Sequence, residues 1–305
     1  MTPQPRQHEP HQHEPHDGHE HGHQHGHQYG AGVDHDALAE MLDLDAEVLR
    51  EPIGDLLGWL EGLTGDASPR RIIDLGSGTG AGTLALLQRF GQADAVAVDS
   101  SEQMLRHLLG RARELGLADR IRTVQADLDQ GWPEVGTADL AWASASLHHL
   151  ADPDRTLGQV HDALRPGGLL LVLELDSFPR FLPDDLGFGR PGLEARCQAE
   201  IDRRRAADLP HMGSDWGARL SRAGFTVEAE RTLSVDLKPP LPAPARRYAE
   251  VTLRRLRPAL DGSLAAEDLA ALDLLLDDDA PESVLRREDL TVRAERTVWA
   301  ARRAS

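Results

Sequence analysis

The chain has 305 residues, 33 Lys and Arg against 51 Asp and Glu, a net charge of −18 and 40% apolar residues. That length holds one large α/β domain or a domain with a small appendage, and the acidic balance argues against a protein held mainly by duplex phosphates. The lone Cys197 excludes an internal disulfide and a cysteine-built metal site, and no basic-then-apolar leader or long apolar run is present, so a cytoplasmic protein with no membrane segment is expected.

Residues 1–30 form a block of His, Gln, Glu, Gly and Pro with almost no apolar side chains. Such a tail cannot bury enough surface to offset the entropy of ordering, so disorder is expected. His8, His11, His13, His16, His19, His21, His23, His25 and His27 recur at two- or three-residue spacing. Imidazoles that dense bind divalent metal in many interchangeable geometries, either adventitiously or as a metal-handling tail; catalysis is not expected there.

Residues 31–66 read as N-terminal helices that act as a lid. Ile53, Leu56, Leu57 and Leu60 follow Pro52 at helical spacing, and Gly62, Gly65 and Pro69 break the run. Strands and helices then alternate: strands at 71–75, 95–99, 121–126, 138–143 and 169–174, with helices at 83–90, 102–115 and 153–164. Pro166, Gly167 and Gly168 stop the last of these helices. Five strands separated by helices imply a parallel sheet covered on both faces. Beyond residue 178 the regularity loosens. A strand opens at Gly224–Val227 and another spans Thr291–Ala300, with a helical insertion at about 237–290 between them. Its helices carry Leu253, Leu256 and Leu260, then Leu269, Leu272 and Leu276, and it is expected to cap the substrate.

The first strand ends in Asp74-Leu75-Gly76-Ser77-Gly78-Thr79-Gly80-Ala81-Gly82. Without Cβ atoms such a loop turns sharply and lets a ligand lie against the backbone, and the amides of the helix that follows face the same ligand. Gly76-Ser77-Gly78-Thr79-Gly80-Ala81 also satisfies GxGxxA, so an NAD(P)-dependent oxidoreductase is one alternative at this point. No GK[ST] follows, which argues against a triphosphate P-loop. Asp99 closes the second strand about 20 residues beyond the loop, where a carboxylate accepts ribose hydroxyls. Asp127 closes the third, in position to accept from an exocyclic adenine amine. A single Asp at a strand end is often only a helix N-cap; three in register point to a ligand.

DLGSGTG, VAVDSSEQML, VQADL and ADLAWASASLHHLADPDRTLGQVHDALRPGGLLLVLE together resemble the class I S-adenosylmethionine-dependent methyltransferases of the small-molecule type. The resemblance covers roughly residues 70–176 well and agrees generally to the C-terminus. It implies a Rossmann-like, doubly wound seven-stranded α/β sheet whose last strand is antiparallel, within a methyltransferase domain over 67–305. It also implies S-adenosyl-L-methionine as cofactor. Gly76, Ser77, Gly78 and Gly80 would cradle its methionine part, with Asp74 orienting the loop and the amino group. Asp99 and Ser100 would lie at the ribose, Met104 near the adenine and Asp127 with Leu128 around the base, and Ser144 completes the cofactor-binding set. The dinucleotide pattern predicts neither the acid before the glycines nor the LHH and PGG elements.

Methyl transfer is an in-line displacement at an activated methyl, so the protein aligns a nucleophile and excludes water. A hydroxyl acceptor also needs its proton removed, and His148 and His149 follow the fourth strand where the methyl should project. His148 is the candidate base, with a wall-bracing role as its alternative; His149 reads as bracing, and His161 and His211 as surface or packing residues. Arg246, Arg247, Arg254, Arg255 and Arg257 make one insertion helix basic. They read as a solvated face paired with acids such as Asp277, Asp278 and Asp279, or else as a grip for an anionic acceptor. Ser144-Ala145-Ser146-Leu147 replaces an Asn-Pro-Pro-Tyr-like stretch, against amino methylation of bases. The expected partner is a small-molecule acceptor. A different class of reading, a regulatory protein that binds the adenosyl ligand or metal without turnover, is motivated by the histidine tail.

Overall fold

The computed structural model describes residues 34–65 and 68–304, so the histidine-rich tail lies outside the described residues. The strands are β1 (Arg71–Leu75), β2 (Asp94–Asp99), β3 (Ile121–Gln125), β4 (Ala138–Ser144), β5 (Leu164–Leu175), β6 (Phe225–Leu237) and β7 (Val292–Arg303). They form one sheet in the order β3-β2-β1-β4-β5-β7-β6. Neighbours from β3 to β5 are parallel, and β7 runs antiparallel to both β5 and β6. After β1 the chain builds outward to β2 and β3, then returns to β4 on the other side of β1. That reversal leaves a crevice at the carboxyl ends of β1 and β4, where ligands bind in sheets of this kind.

Both faces of the sheet are buried, and neighbouring residues of one strand serve opposite cores. Ile72, Leu140, Leu171, Leu173 and Val298 pack with Leu56, Leu57 and Leu60 of the N-terminal helices and with the insertion. Ile73, Ala141, Leu170 and Val172 pack on the other face with Leu157, Val160 and Trp216.

The N-terminal pattern resolves into two helices, α1 (His35–Val48) and α2 (Arg50–Thr64), joined at Leu49. Asp34 caps α1 by accepting from the amides of Asp36 and Ala37, both at 3.1 Å. The sheet is covered by α3 (Ala81–Arg89), α4 (Glu102–Glu114) and α5 (Pro153–Ala163), where Asp152 caps α5 ahead of Pro153. The chain then adds α6 (Leu193–Asp208) and α7 (Trp216–Arg222), which the looser patterning beyond residue 178 did not reveal. The insertion between β6 and β7 holds α8 (Ala243–Leu256) and α9 (Ala266–Leu275). Three of the five arginines at 246–257 find acidic partners among the described residues: Arg247 pairs with Glu40 at 2.7 Å, Arg254 with Glu250 at 2.5 Å and Asp278 at 3.2 Å, and Arg257 beyond the end of α8 with Asp273 at 2.5 Å.

One boundary differs in kind. Pro166, Gly167 and Gly168 do not precede β5; they lie within it, where the pairing with β4 shifts register between Ala138 and Leu140. Gly167 takes φ +76°, and a Cβ on Gly168 would lie 2.8 Å from the Arg165 carbonyl oxygen. The stretch is a bulge that only glycine permits.

Helix α1 lies at the carboxyl edge. Leu38 and Ala39 pack on Met104 of α4, and Leu42 Cδ1 is 3.4 Å from where a Cβ on Gly78 would stand. Asp43 bonds His107 at 2.8 Å and Arg111 at 2.6 Å on α4, and Glu40 meets Arg247 of α8 at 2.7 Å.

Candidate active site

The loop after β1 is held open by backbone conformation and tied to β2. Gly76, Gly78 and Gly80 adopt φ of +68°, +52° and +82°, a region costly for side chains with Cβ. The amides of Gly76 and Ser77 both donate to the Val98 carbonyl, at 2.9 and 3.0 Å. At Gly76 a Cβ would lie 2.5 Å from Ser146 Cβ, so the β4 loop packs directly on the glycine turn. Ser146 Oγ also donates to the Leu75 carbonyl at 2.7 Å.

Asp99 is the pivot of this edge. Its Oδ2 accepts from the Gly78 amide and its Oδ1 from the Ser101 amide, both at 2.8 Å, so one carboxylate fixes the glycine loop and the start of α4. Each oxygen has a second lone pair for ribose hydroxyls. Burial raises its pKa, opposed by the two amides. Ser101 caps α4 by accepting from the Met104 amide at 3.3 Å, and the Ser100 carbonyl accepts from the Gln125 side chain at 3.2 Å. Met104 is buried beneath α1.

Asp74 is buried behind the loop and accepts from Thr83 Oγ1 at 2.5 Å. Burial pushes its pKa up to about 7, the Thr83 hydroxyl opposes the rise and the Asp99 charge adds to it. A raised carboxyl pKa means that ionising Asp74 opposes folding as pH climbs from the usual 3.8 toward about 7. A cationic ligand group beside Asp74 would relieve that opposition.

Asp127 follows β3, its Oδ1 accepting from the Asp129 amide at 2.9 Å. Leu128 is buried, and its carbonyl accepts from Arg155 at 2.8 Å. Ser144 ends β4. Ala145 then takes φ +50°, the one non-glycine residue with positive φ among those described, and donates to the Leu173 carbonyl at 2.7 Å. Strain of this kind clusters at functional sites.

His148 lies in a short 3-10 turn, Leu147–His149, and is 2% exposed. Its Nδ1 bonds Glu174 Oε2 at 2.5 Å. The other oxygen, Oε1, accepts from the amides of Leu147 at 2.8 Å and Ser146 at 3.2 Å. Glu174 therefore shapes the whole turn and orients the imidazole, with the His149 ring tilted by 41° and its centroid 4.2 Å from that of His148. Glu174 escaped the sequence reading because it ends a strongly apolar strand 26 residues from its partner. An acid closing an apolar strand beside an LHH turn was the available signal.

These residues fit an adenosyl cofactor on grounds independent of any ligand. Ser77 Oγ is buried without a hydrogen-bond partner among the described residues, at the turn where the methionine part would lie. The positive-φ glycines leave backbone exposed beside it, and Asp99 retains acceptor capacity. The structure brings Asp74, Gly76, Ser77, Gly78, Gly80 and Asp99 together around one loop. Ser100, Met104, Asp127, Leu128 and Ser144 lie on the neighbouring strand ends and α4.

Residues 72–168 match a family described as a methyltransferase domain. The chain is 35% identical over 166 residues to a malonyl-[acyl-carrier protein] O-methyltransferase of Laribacter hongkongensis, an alignment covering 52% of each protein. It is 38% identical over 171 residues to a trans-aconitate 2-methyltransferase of Acidovorax sp., covering 56% of this chain and 60% of the relative. The chain thus spans between half and two thirds of these relatives' lengths. The fold resembles that of a candidate methyltransferase from Bacillus halodurans, with a TM-score of 0.53, 17% identity and coverage of 82% of this chain and 99% of that one. Sheet order, glycine loop and family match agree: the chain carries a methyltransferase domain of the class I, S-adenosylmethionine-dependent type.

Proposed function

We propose that the protein is a cytoplasmic enzyme that transfers a methyl group from S-adenosyl-L-methionine to a small-molecule acceptor. The observation that carries this reading is Asp99, which ties the glycine loop to the start of α4 at the crevice between β1 and β4. Gly76, Ser77, Gly78 and Gly80 would hold the methionine part, Asp99 and Ser100 the ribose, and Met104, Asp127 and Leu128 the base, with Asp74 and Ser144 bordering the site. When bound, the cofactor supplies a sulfonium methyl that needs no further activation. The relative named for trans-aconitate supports a small acceptor, and the one named as an O-methyltransferase supports an oxygen nucleophile. Calorimetric titration of S-adenosylhomocysteine tests the reading: saturable micromolar binding supports it, and binding of NAD(H) alone overturns it.

His148 is the proposed base. With Nδ1 engaged by Glu174, the ring keeps one tautomer and the carboxylate stabilises the imidazolium that forms on proton uptake. His148→Ala is expected to lower kcat about 100-fold or more for a hydroxyl acceptor. An unchanged kcat would leave the residue as a brace of the pocket wall.

Divalent-metal binding belongs to the tail in this reading, where imidazoles recur at two- or three-residue spacing. A chain lacking residues 1–30 is expected to keep its methyl transfer and its S-adenosylhomocysteine affinity while losing nickel binding. Loss of methyl transfer on truncation would favour the regulatory reading instead.

A further inference from the structure

Arg296 is a buried cation on β7. It is 5% exposed, paired in register with Leu175 at the carboxyl end of β5 and with Leu233 on β6. Its Nη2 donates to both oxygens of Asp45, at 2.6 and 2.7 Å, while its Nε is buried without a hydrogen-bond partner among the described residues. Tyr248 of α8, itself 5% exposed, donates its hydroxyl to the same Asp45 carboxylate at 2.6 Å. Phe181 fixes the tyrosine ring edge-to-face at 5.3 Å.

The ownership of these groups matters. Arg296 and Tyr248 belong to the sheet and the insertion, whereas Asp45 comes from α1. Two body residues thus make a pocket for one carboxylate, with three hydrogen bonds converging on it and the arginine Nε left over. Arginine and tyrosine hydroxyl donors are the chemistry by which proteins hold carboxylates. Burial opposes the charge of Arg296, and the Asp45 carboxylate, together with Tyr248 and Glu174, more than offsets it. Glu174, on the adjacent residue of β5, adds its negative field from the same edge. The arginine requires an anion wherever α1 stands, since a buried cation stripped of its partner is strongly destabilising. The Asp45 side chain is 19% exposed and so has a path outward.

We propose that Arg296 and Tyr248 form the recognition site for a carboxylate on the acceptor, and that Asp45 fills this site until a small organic acid takes its place. The inference rests on the methyltransferase reading and narrows its acceptor to a carboxylate-bearing molecule. The gripped carboxylate is a handle: its charge is drawn into the arginine, and the atom that receives the methyl lies elsewhere in the acceptor. The exchange preserves the charge of the pocket, one carboxylate leaving as another enters.

The test uses the full chain. S-adenosylhomocysteine is titrated first, and trans-aconitate and its trimethyl ester are then titrated into the loaded wild type, Asp45→Asn and Asp45→Asn/Arg296→Gln. Asp45→Asn is expected to bind trans-aconitate at least tenfold more tightly than wild type. The ester should bind to none of the proteins, and the added Arg296→Gln should erase the gain. Equal trans-aconitate affinity in wild type and Asp45→Asn, or a gain that survives Arg296→Gln, overturns the site while leaving the methyltransferase reading intact. Failure of S-adenosylhomocysteine to bind wild type removes both. If Asp45→Asn is too unstable to titrate, its melting temperature decides. A rise with trans-aconitate that neither the ester nor the double variant shows supports the site, and an equal response in all three overturns it.

Discussion

Asp99→Ala should weaken S-adenosylhomocysteine binding by about 100-fold or more, measured calorimetrically against wild type at one salt concentration. Two contributions add. The carboxylate would accept two ribose hydroxyls, and hydrogen bonds to a charged group contribute about 1.5–3 kcal/mol each. Its present partners, the amides of Gly78 and Ser101, would also lose the group that sets the loop against α4, so the cradle would be less ordered before any ligand arrived. The melting temperature should move much less than the affinity, because removing a buried carboxylate also removes the cost of burying it. An affinity within threefold of wild type would show that Asp99 is only a helix cap.

Gly80→Ala should destabilise the fold by about 2–5 kcal/mol, from two independent sources. The residue sits at φ +82°, where an L side chain costs roughly 1–2 kcal/mol. A Cβ there would also stand 2.8 Å from Leu108 Cγ and 2.9 Å from its Cβ, with Cδ1 closer still. Leu108 is fully buried with Leu84, Ala97 and Ala112, so it has little room to yield, and such overpacking adds about 1–3 kcal/mol. For a domain of this size the melting temperature should fall by roughly 10 °C. Gly110→Ala is the control. Gly110 lies within α4 with nothing within 4 Å of its Cβ position, and should gain up to about 1 kcal/mol. A Gly80→Ala protein as stable as Gly110→Ala would mean that the loop relaxes freely, and the packing account would fail.

What was legible in the sequence follows from distance along the chain. The glycine loop and Asp99 could be read because strand, turn and acid recur at fixed short offsets, and the alternation of β1 to β5 with helices fixed a parallel sheet. The antiparallel β7 was anticipated through the family resemblance. Helix α6 was missed because its buried side includes Glu194, Gln198 and Glu200 beside Leu193, Cys197 and Ile201, so polar residues interrupt the apolar spacing. Glu194 is buried because it serves loop backbone, accepting from the amides of Phe181 and Leu182 at 2.6 and 3.1 Å, a demand invisible in α6 itself. Arg296 was missed for a related reason. In the alternating run of β7 it reads as a solvent-facing charge, yet it lies on the same face as Val298 and Ala300, covered by α1 and α8. Partners 26 and 251 residues away, Glu174 for His148 and Asp45 for Arg296, leave no local pattern to find.

The position of β7 in the sheet has a consequence for how the protein is made. Although it is the last strand in the chain, β7 is an inner strand, with β5 on one side and β6 on the other. Until residues 292–303 emerge from the ribosome, β6 and the Leu169–Leu175 stretch of β5 each expose a bare pairing edge. Arg296 arrives with that same strand, so α1 has no cation for Asp45 before then. Completion of the sheet and assembly of the arginine pocket are therefore one late event. A nascent chain stalled short of it presents the long adhesive edges that chaperones exist to shield.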